Sequence, residues 1–190
     1  MSCVFLISDL HFGQESMCKF LREDGTKLRP WNTAAEMDEA LIENWNNVVR
    51  PQDKIYVLGD IVMRKENMPI LKRLNGHKRL VRGNHDIFAT KEYSKYFEDI
   101  YGVRVLEDII LSHIPLHGDS ITKRYNVNVH GHLHAGFVKD KNGLPDSRYF
   151  NVSVEQIDYT PISLEDLRIK IKEKKEQYPP VYTCFQKGAD

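Results

Sequence analysis

Five short groups of polar residues follow one another along the chain, and each contains side chains that can bind a metal ion or move a proton. They are Asp9-x-His11, Gly59-Asp60, Gly83-Asn84-His85-Asp86, a lone His113, and Gly131-His132-x-His134. Carboxylate oxygen, amide oxygen and imidazole nitrogen are ligands of hard and borderline divalent metals, and these groups lack the paired thiolates of a structural zinc site. The residue types therefore predict a catalytic metal centre.

The carboxylates indicate that two ions could share this centre. Asp9 and His11 stand two residues apart at the end of a predicted strand, so both side chains of one extended turn can face the same ion. Asp60 follows the next predicted strand, and we expect it to bridge two metals. Ions about 3.5–4 Å apart can activate a shared water and hold both the attacking and the leaving oxygens of an in-line displacement. This is the chemistry of phosphoester hydrolysis.

The segment Gly83-Asn84-His85-Asp86 divides between metal binding and proton transfer. Gly83 lets the chain turn tightly after a strand, and Asn84 offers an amide oxygen as a neutral ligand. Because adjacent side chains rarely face the same ion, we assign His85 to protonating the leaving oxygen. We expect Asp86 to orient His85.

The remaining histidines divide into ligands and structural residues. His132 and His134 flank Leu133, so on an extended segment they lie on one face and can serve both ions. His113 either completes the second ion's ligands or is a structural histidine. A structural role is favoured for three others, His77, His130 and His117. Of these, His117 is close enough in sequence to His113 to contact substrate.

Short apolar runs come directly before the first three motifs, as buried strands that end in functional loops would. These runs are residues 4–8, 54–58 and 79–82. A second group of strands is predicted within residues 103–112, 125–130 and 149–157, with a hairpin turn at 139–143. Ligands at the carboxyl ends of parallel strands fit the general rule for α/β sheets.

Two helices have clear start signals. Thr33 and Glu36 form a capping box that opens a helix ending before Pro51, and a second helix opens at Ser163. A shorter helix at 69–74 would give a β-α-β-α-β alternation. Residues 14–31 either overhang the site or form a surface loop, and residues 178–190 are predicted to be an extended tail.

Composition places the chain among ordinary globular proteins, and we expect residues 1–190 to form a single domain. Lys plus Arg and Asp plus Glu both total 27, so no net charge draws the protein toward nucleic acid or anionic membranes. Three widely spaced cysteines without a C-x-x-C pattern indicate reduced thiols. With no leader or membrane span predicted, we expect a cytoplasmic protein.

The ordered motif set resembles the calcineurin-like metallophosphoesterases, and the resemblance spans residues 4–134. It implies a four-layer α/β/β/α sandwich of two mixed β-sheets flanked by helices, with the metal site at the loop ends. It also implies His85 as the catalytic histidine and two ligand sets that share one carboxylate: Asp9, His11, Asp60 and His134 for one metal, and Asp60, Asn84, His113 and His132 for the other. Family members use manganese, iron, zinc or nickel, of which we expect Mn²⁺ to support activity.

Two positions depart from patterns found in the family. Residues 59–64 partly resemble a phosphoprotein-phosphatase signature in which an arginine contacts phosphate, but Met63 stands where that signature has an aspartate. Arg64 is therefore either a phosphate-binding residue or a solvated arginine. Gln14 stands where near relatives often carry a histidine.

The expected activity is that of a metal-dependent phosphodiesterase, with a hydroxide that bridges the two metals as nucleophile and His85 as general acid. The expected substrate is a small phosphodiester or nucleotide, with no strong nucleic-acid affinity and no membrane partner. The alternatives are a phosphomonoesterase, a nuclease that uses the basic residues within 168–175, and a non-catalytic interaction scaffold with the same fold. Acidic residues interleaved with these bases argue against the nuclease, and an intact His85 argues against the scaffold.

Overall fold

The computed structural model describes residues 2–121 and 125–180. Within these ranges the strands are β1 (Val4–Ile7), β2 (Lys54–Val57), β3 (His77–Val81), β4 (Asp99–Tyr101), β5 (Arg104–Leu106), β6 (Ile109–Leu111), β7 (Val127–His130), β8 (Tyr149–Asn151) and β9 (Ile162–Ser163). The α-helices are α1 (Ala34–Val48), α2 (Thr90–Tyr93) and α3 (Leu164–Gln177). Short 3₁₀ segments cover Glu15–Cys18, Lys65–Arg73, Gly118–Ser120 and Val154–Gln156.

The strands form two mixed sheets. The first has the order β4-β3-β2-β1-β9, in which β1 to β4 are parallel and β9 runs antiparallel to β1. The second has the order β5-β6-β7-β8, in which β5 is antiparallel to β6 and the other pairs are parallel. The predicted α/β fold of two mixed sheets with flanking helices is confirmed.

Alternating side chains of the first sheet belong to two different cores. Phe5 and Ile7 of β1 pack in one core with the buried face of α1, which includes Trp45. Leu6 points the other way and joins a second core with residues of the second sheet and with Leu167 of α3. This period of two fixes the register of β1, because a slip by one residue would exchange the two faces.

The predicted helix ends are found where the sequence placed them. Thr33 Oγ1 accepts a hydrogen bond from the Glu36 amide at 3.2 Å, and α1 ends at Val48, before Pro51. Glu36 does not close the box on Thr33, since its carboxylate accepts from the Asn32 amide at 3.0 Å. Ser163 caps α3 by accepting from the Asp166 amide at 3.0 Å. No helix in the described part of the chain is long and apolar enough to cross a membrane.

Several predicted elements differ in detail. Residues 103–112 are a hairpin rather than one run, because the chain turns at Glu107, whose φ is 55°. Only the start of 149–157 is a strand, and the linking segment Lys65–Arg73 is a 3₁₀ helix that contains Pro69. Residues 139–143 do form a tight turn, closed by the Gly143 amide on Asp140 O at 3.0 Å. Most of the predicted tail, residues 181–190, lies outside the described residues.

Candidate metal centre

The loops that follow β1 and β2 continue the pairing of those strands. The amides of Asp9, His11 and Phe12 donate to Gly59 O, Asp60 O and Ile61 O at 3.1, 3.0 and 2.8 Å. This backbone ladder holds the first two motifs side by side at the carboxyl end of the first sheet, where the sequence predicted them.

Five of the polar side chains at this edge come from residues with a left-handed backbone: Asp9 (φ 60°), His11 (52°), Asp60 (53°), His132 (69°) and His134 (48°). Such conformations cost about 1–3 kcal/mol for each residue other than glycine, and they persist only where the surroundings enforce them. Their concentration in the predicted motifs marks a functional site, because strain of this kind collects where side chains must be aimed.

Glycines permit the close approach of the motif loops. A Cβ on Gly59 would lie 2.6 Å from the Gly83 backbone, and one on Gly131 would lie 2.4 Å from Asp9 Oδ2. Both distances are shorter than any side chain tolerates. The glycines of three motifs therefore let the loops pack directly against one another.

Asp9, His11 and His134 form what we call the first donor group. Asp9 Oδ1 lies 3.9 Å from His11 Nε2 and 4.0 Å from His134 Nε2. Asp9 Oδ2 is already engaged, because it accepts from the Ser153 hydroxyl at 2.8 Å and the His132 amide at 2.9 Å. Asp9 Oδ1 and both ring nitrogens of His11 are buried without a hydrogen-bond partner. Since such atoms are costly to bury unpaired, a cation between them fits this geometry.

Asp60, His113 and His132 form the second donor group, and Asn84 lies against it. Asp60 Oδ2 is 3.3 Å from His113 Nε2, and Asn84 Oδ1 is 2.9 Å from the same nitrogen. His132 Nδ1 lies 3.0 Å from Asn84 Oδ1. Nδ1 of His113 donates to Leu58 O at 2.7 Å, an arrangement that leaves Nε2 available to a metal.

Asp60 lies between the two groups. Its Oδ2 atom is 3.8 Å from His11 Nε2 of the first group as well as 3.3 Å from His113 Nε2 of the second. Its other oxygen accepts from the His85 amide at 2.9 Å. One carboxylate is thus in reach of both groups, as a bridging ligand would be.

The matching family model is that of the calcineurin-like phosphoesterases, which aligns with residues 4–184. The chain belongs to this family. It is 35% identical over 182 residues to an uncharacterized protein of Methanocaldococcus jannaschii, covering 92% of this chain and 93% of that protein. It is also 25% identical over 179 residues to the gene 66 protein of Mycobacterium phage L5, covering 75% of this chain and 82% of that protein.

A solved structure with the same fold supports the assignment. A protein of unknown function from Aquifex aeolicus superposes with a TM-score of 0.63 at 26% identity, covering 90% of this chain and all of that one. The chain therefore shares a fold, and not only motifs, with a solved protein.

Burial and charge set the protonation of the donors. Burial, aided by the nearby Arg29 guanidinium, lowers the pKa of His11 to about 3, so its ring is neutral and has a lone pair for a metal. Burial raises the pKa of Asp9. Burial also opposes the charges of Asp60 and His113, but their mutual contact lowers the pKa of Asp60 and raises that of His113. Divalent cations would favour ionised carboxylates and neutral imidazoles throughout the site.

Asp86 does not act as predicted from the sequence. Its buried carboxylate accepts from the backbone amides of Asp60, Ile61 and Gly83 at 3.0, 3.2 and 2.8 Å. Both oxygens are therefore committed to holding two motif loops together, and the prediction that Asp86 orients the His85 ring is wrong.

The His85 ring lies at the protein surface, beside the donors. Its centroid is 5.8 Å from that of His11, in an edge-to-face arrangement. An exposed imidazole next to buried metal-binding groups has access to a bound substrate, as a proton donor requires.

Two residues that support the first donor group belong to none of the sequence motifs. Glu155 Oε1 lies 3.1 Å from His134 Nδ1, and the same oxygen accepts from Arg29 Nε at 2.8 Å. Burial opposes the charge of Glu155, but His134 and Arg29 lower its pKa to about 2. Arg29 belongs to the segment predicted to be an overhang or a surface loop, yet its side chain is completely buried beneath the site. In the sequence, the burial of Arg29 is indicated only by its neighbours Leu28 and Pro30.

The other predicted substrate contacts are at the surface. Arg64 is exposed at the start of the Lys65–Arg73 segment. The His117 side chain is 81% exposed, and its Nδ1 atom lies 3.7 Å from Asp119 Oδ2. The structure thus pairs His117 with Asp119 rather than with a donor group. His77 contacts Glu98 at 2.5 Å, and His130 is buried in β7, so neither belongs to a donor group.

Proposed function

We propose that the protein is a metal-dependent phosphodiesterase that acts on a small phosphodiester or nucleotide. The observation that carries this proposal is the pair of donor groups joined by Asp60, with the exposed His85 beside them. The family supplies the reaction class, and the donor geometry supplies the residues that would perform it.

The proposed ligands follow the two groups. Asp9, His11 and His134 would hold one ion, and His113, His132 and the Asn84 amide oxygen the other, with Asp60 shared between them. When bound, two such ions activate water and stabilise the charge that develops on the phosphoryl oxygens. We propose Mn²⁺ as the ion that supports activity; the nitrogen and oxygen donors are also compatible with iron, zinc or nickel.

The chain's own part in the reaction is to position and to protonate. His85 would donate its proton to the oxygen of the departing alcohol, a role typically worth about 10²–10⁴-fold in rate. Asp60 fixes the place of His85 by accepting its backbone amide. Arg64 is the proposed contact to the substrate phosphate, and His117 is a proposed further contact to the substrate; both side chains are exposed.

The contacts of α3 support a small substrate over a nucleic acid. Lys174 donates to Tyr149 O at 2.8 Å and Lys175 to Asn126 O at 2.7 Å, and Arg168 pairs with Asp108 at 2.9 Å. These bases hold the helix to the second sheet, so they are poorly placed to neutralise a phosphate backbone. The preference for diesters rests on the resemblance, because small members of the family without a cap domain are often diesterases.

Activity on matched chromogenic substrates tests the proposal. Metal-stripped protein reloaded with Mn²⁺ should cleave a bis-nitrophenyl phosphodiester faster than the corresponding monoester, and a chelator should abolish both activities. His85→Ala should lower turnover about 10²–10⁴-fold while the Mn²⁺ content is unchanged. His77→Ala is the matched control, since that histidine contacts Glu98 at the surface and should leave the rate unaffected.

Other outcomes would redirect the proposal. A faster rate on the monoester would identify a phosphatase. Metal loss in His85→Ala would make His85 a ligand. A protein that binds two ions but cleaves no phosphoester with any divalent metal would be an interaction scaffold.

A further inference from the structure

A buried ion pair lies directly beneath the first donor group. The side chains of Arg29 and Glu155 are both fully buried, and Glu155 Oε1 is 2.8 Å from both Nε and Nη2 of Arg29. The residues are 126 positions apart in sequence. The pair therefore ties together two distant segments at the base of the site.

Each partner also holds one member of the first donor group. Arg29 Nη2 donates to the backbone oxygen of Asp9 at 2.5 Å, and Nη1 donates to that of Leu10 at 2.8 Å. Glu155 Oε1 lies 3.1 Å from His134 Nδ1. A carboxylate on one ring nitrogen fixes the tautomer and orientation of a histidine, so that the other nitrogen is presented to a metal.

Further contacts keep the segment around Arg29 in place. The Tyr159 hydroxyl donates to Leu28 O at 2.9 Å, and the Tyr159 ring packs edge-on against Trp31 with centroids 4.8 Å apart. Residues on both sides of Arg29 are thus anchored to the same stretch of chain that carries Glu155. The guanidinium has little freedom to leave its partners.

Stability alone does not account for this pair. Burying two charges costs several kcal/mol for each ion, and well-packed apolar residues often replace a buried pair without loss. The fork of Arg29 instead matches two acceptors of the left-handed loop at Asp9 and one carboxylate oxygen at Glu155. That arrangement serves position rather than packing.

We propose that Arg29 and Glu155 are positioning residues for the first metal: they hold Asp9 and His134 in their binding geometry, so that ion binding at the first donor group depends on this pair. The second donor group meets the first through the His132 amide on Asp9 Oδ2, but it has further supports of its own, Leu58 O on His113 and Asp86 on the Asp60 loop. It should therefore keep its ion when the pair is changed. The inference rests on the two-metal centre of the proposed function.

Mn²⁺ binding by Glu155→Gln gives the direct test. The substitution removes the charge and places an amide NH₂ either against the Arg29 donors or at the Oε2 position, where the carboxylate oxygen is buried without a partner. Equilibrium dialysis should show two Mn²⁺ per wild-type chain. In the variant, one of the two sites should weaken about 10–100-fold, as changes behind metal-binding histidines typically do.

Electron paramagnetic resonance reports the same loss independently of catalysis. The wild type should show the spectrum of a coupled Mn²⁺ pair, and Glu155→Gln at matched metal concentration should show the six-line spectrum of an isolated ion. The matched control is Asp146→Asn, which weakens a different, partly buried arginine–carboxylate pair, that of Asp146 with Arg148 at 2.7 Å. That variant should keep both ions.

A double variant separates positioning from folding. Arg29→Met leaves the buried Glu155 carboxylate without its arginine partner and could prevent folding, whereas Arg29→Met combined with Glu155→Gln removes both charges and should restore the folded protein. We expect the double variant to melt near the wild-type temperature and still lack the first ion.

The outcomes distinguish this inference from the proposed function. Two ions bound with wild-type affinity in Glu155→Gln and in the double variant would overturn the positioning role and leave the phosphodiesterase proposal intact. A wild type that binds no Mn²⁺ would instead overturn the two-metal centre on which both depend.

Discussion

The two donor groups are built from similar side chains but are supported in different ways. The first group rests on a buried charged pair, Arg29 and Glu155, brought from distant segments. The second is held by hydrogen bonds that involve the main chain: His113 contacts Leu58 O, and the amides of the Asp60 loop donate to Asp86. In the first group the donor atoms named above lie 3.9 and 4.0 Å apart, while in the second they contact one another at 2.9–3.3 Å.

This difference shows how one fold can make two unequal metal sites. The motif residues supply the donors of both groups, but the residues behind them are unrelated in type and in origin. A substitution that removes a charge of the buried ion pair should weaken the first group, whereas one that removes a hydrogen bond to the backbone should weaken the second. The two groups should therefore be separable by mutation, except at the residue they share.

Asp60→Asn should have the largest effect, because it changes the one carboxylate that both groups share and should therefore weaken both of them. Oδ2 is the atom in reach of both His11 and His113, and an amide has one oxygen where the carboxylate has two. We expect the affinity for both Mn²⁺ ions to fall by more than the ~10–100-fold typical of a supporting residue. Equilibrium dialysis measures this, and retention of one ion at full affinity would show that Asp60 serves only one group.

Asp86→Ala should come next, and it should act on the second group's side of the site. The change leaves three backbone amides, two of them buried, without their acceptor, which should lower the free energy of unfolding by about 3 kcal/mol or more. Urea denaturation of the metal-free protein measures the loss. Asp86→Asn, which can still accept from part of the set, should lose less, and equal losses would contradict a hydrogen-bonding role.

Gly59→Ala tests the close packing of the motif loops. Gly59 has φ 93°, and a Cβ there would lie 2.6 Å from the Gly83 backbone and 2.7 Å from His113 Nδ1. Gly25→Ala is the control. Gly25 has a similar φ of 80°, so the substitution brings backbone strain, but nothing lies within 4 Å of a Cβ at that position. The control should cost about 1–3 kcal/mol of backbone strain, and Gly59→Ala should cost more and also weaken Mn²⁺ binding at the second group. Equal thermal stability of the two variants would count against loop packing.

Asp38→Asn should have the smallest effect, on the loop that follows the first group. Asp38 accepts the Gly13 amide at 3.0 Å, and burial raises its pKa from 3.8 to about 6. Because the folded pKa is the higher one, this group's contribution to stability is fully present below pH 3.8 and is lost as the pH rises through 6. The melting temperature of the variant relative to wild type should therefore be higher at pH 7.5 than at pH 4.5. A difference of the opposite sign would contradict the burial of an ionised Asp38.

The sequence predicted the donors well because a metal site demands particular atoms at particular spacings. Asp9, His11, Asp60, His113, His132 and His134 all fall in the two groups. The predicted bounds of β1 and β2 also agree with the structure to within one residue, because apolar runs that end in polar motifs define where a buried strand ends.

The supports were not predictable for physical reasons. Glu155 lies 21 residues from the histidine it orients and belongs to no motif, and an arginine within a polar stretch is usually solvated. Asp86 follows His85 directly, so adjacency suggested a side-chain contact, whereas the carboxylate turns inward to backbone amides. The edge strand β4 was not predicted either, because it has only three residues, with Asp99 and Tyr101 on either side of one apolar residue. An alternation this short cannot be distinguished from a loop.

Anomalous X-ray diffraction from crystals of the Mn²⁺-loaded protein would locate the ions relative to Asp60. Two peaks about 3.5–4 Å apart are predicted, one between Asp9, His11 and His134 and the other between His113, His132 and Asn84, with Asp60 touching both. A single peak, or a pair of peaks away from Asp60, would contradict a two-metal centre organised around that carboxylate.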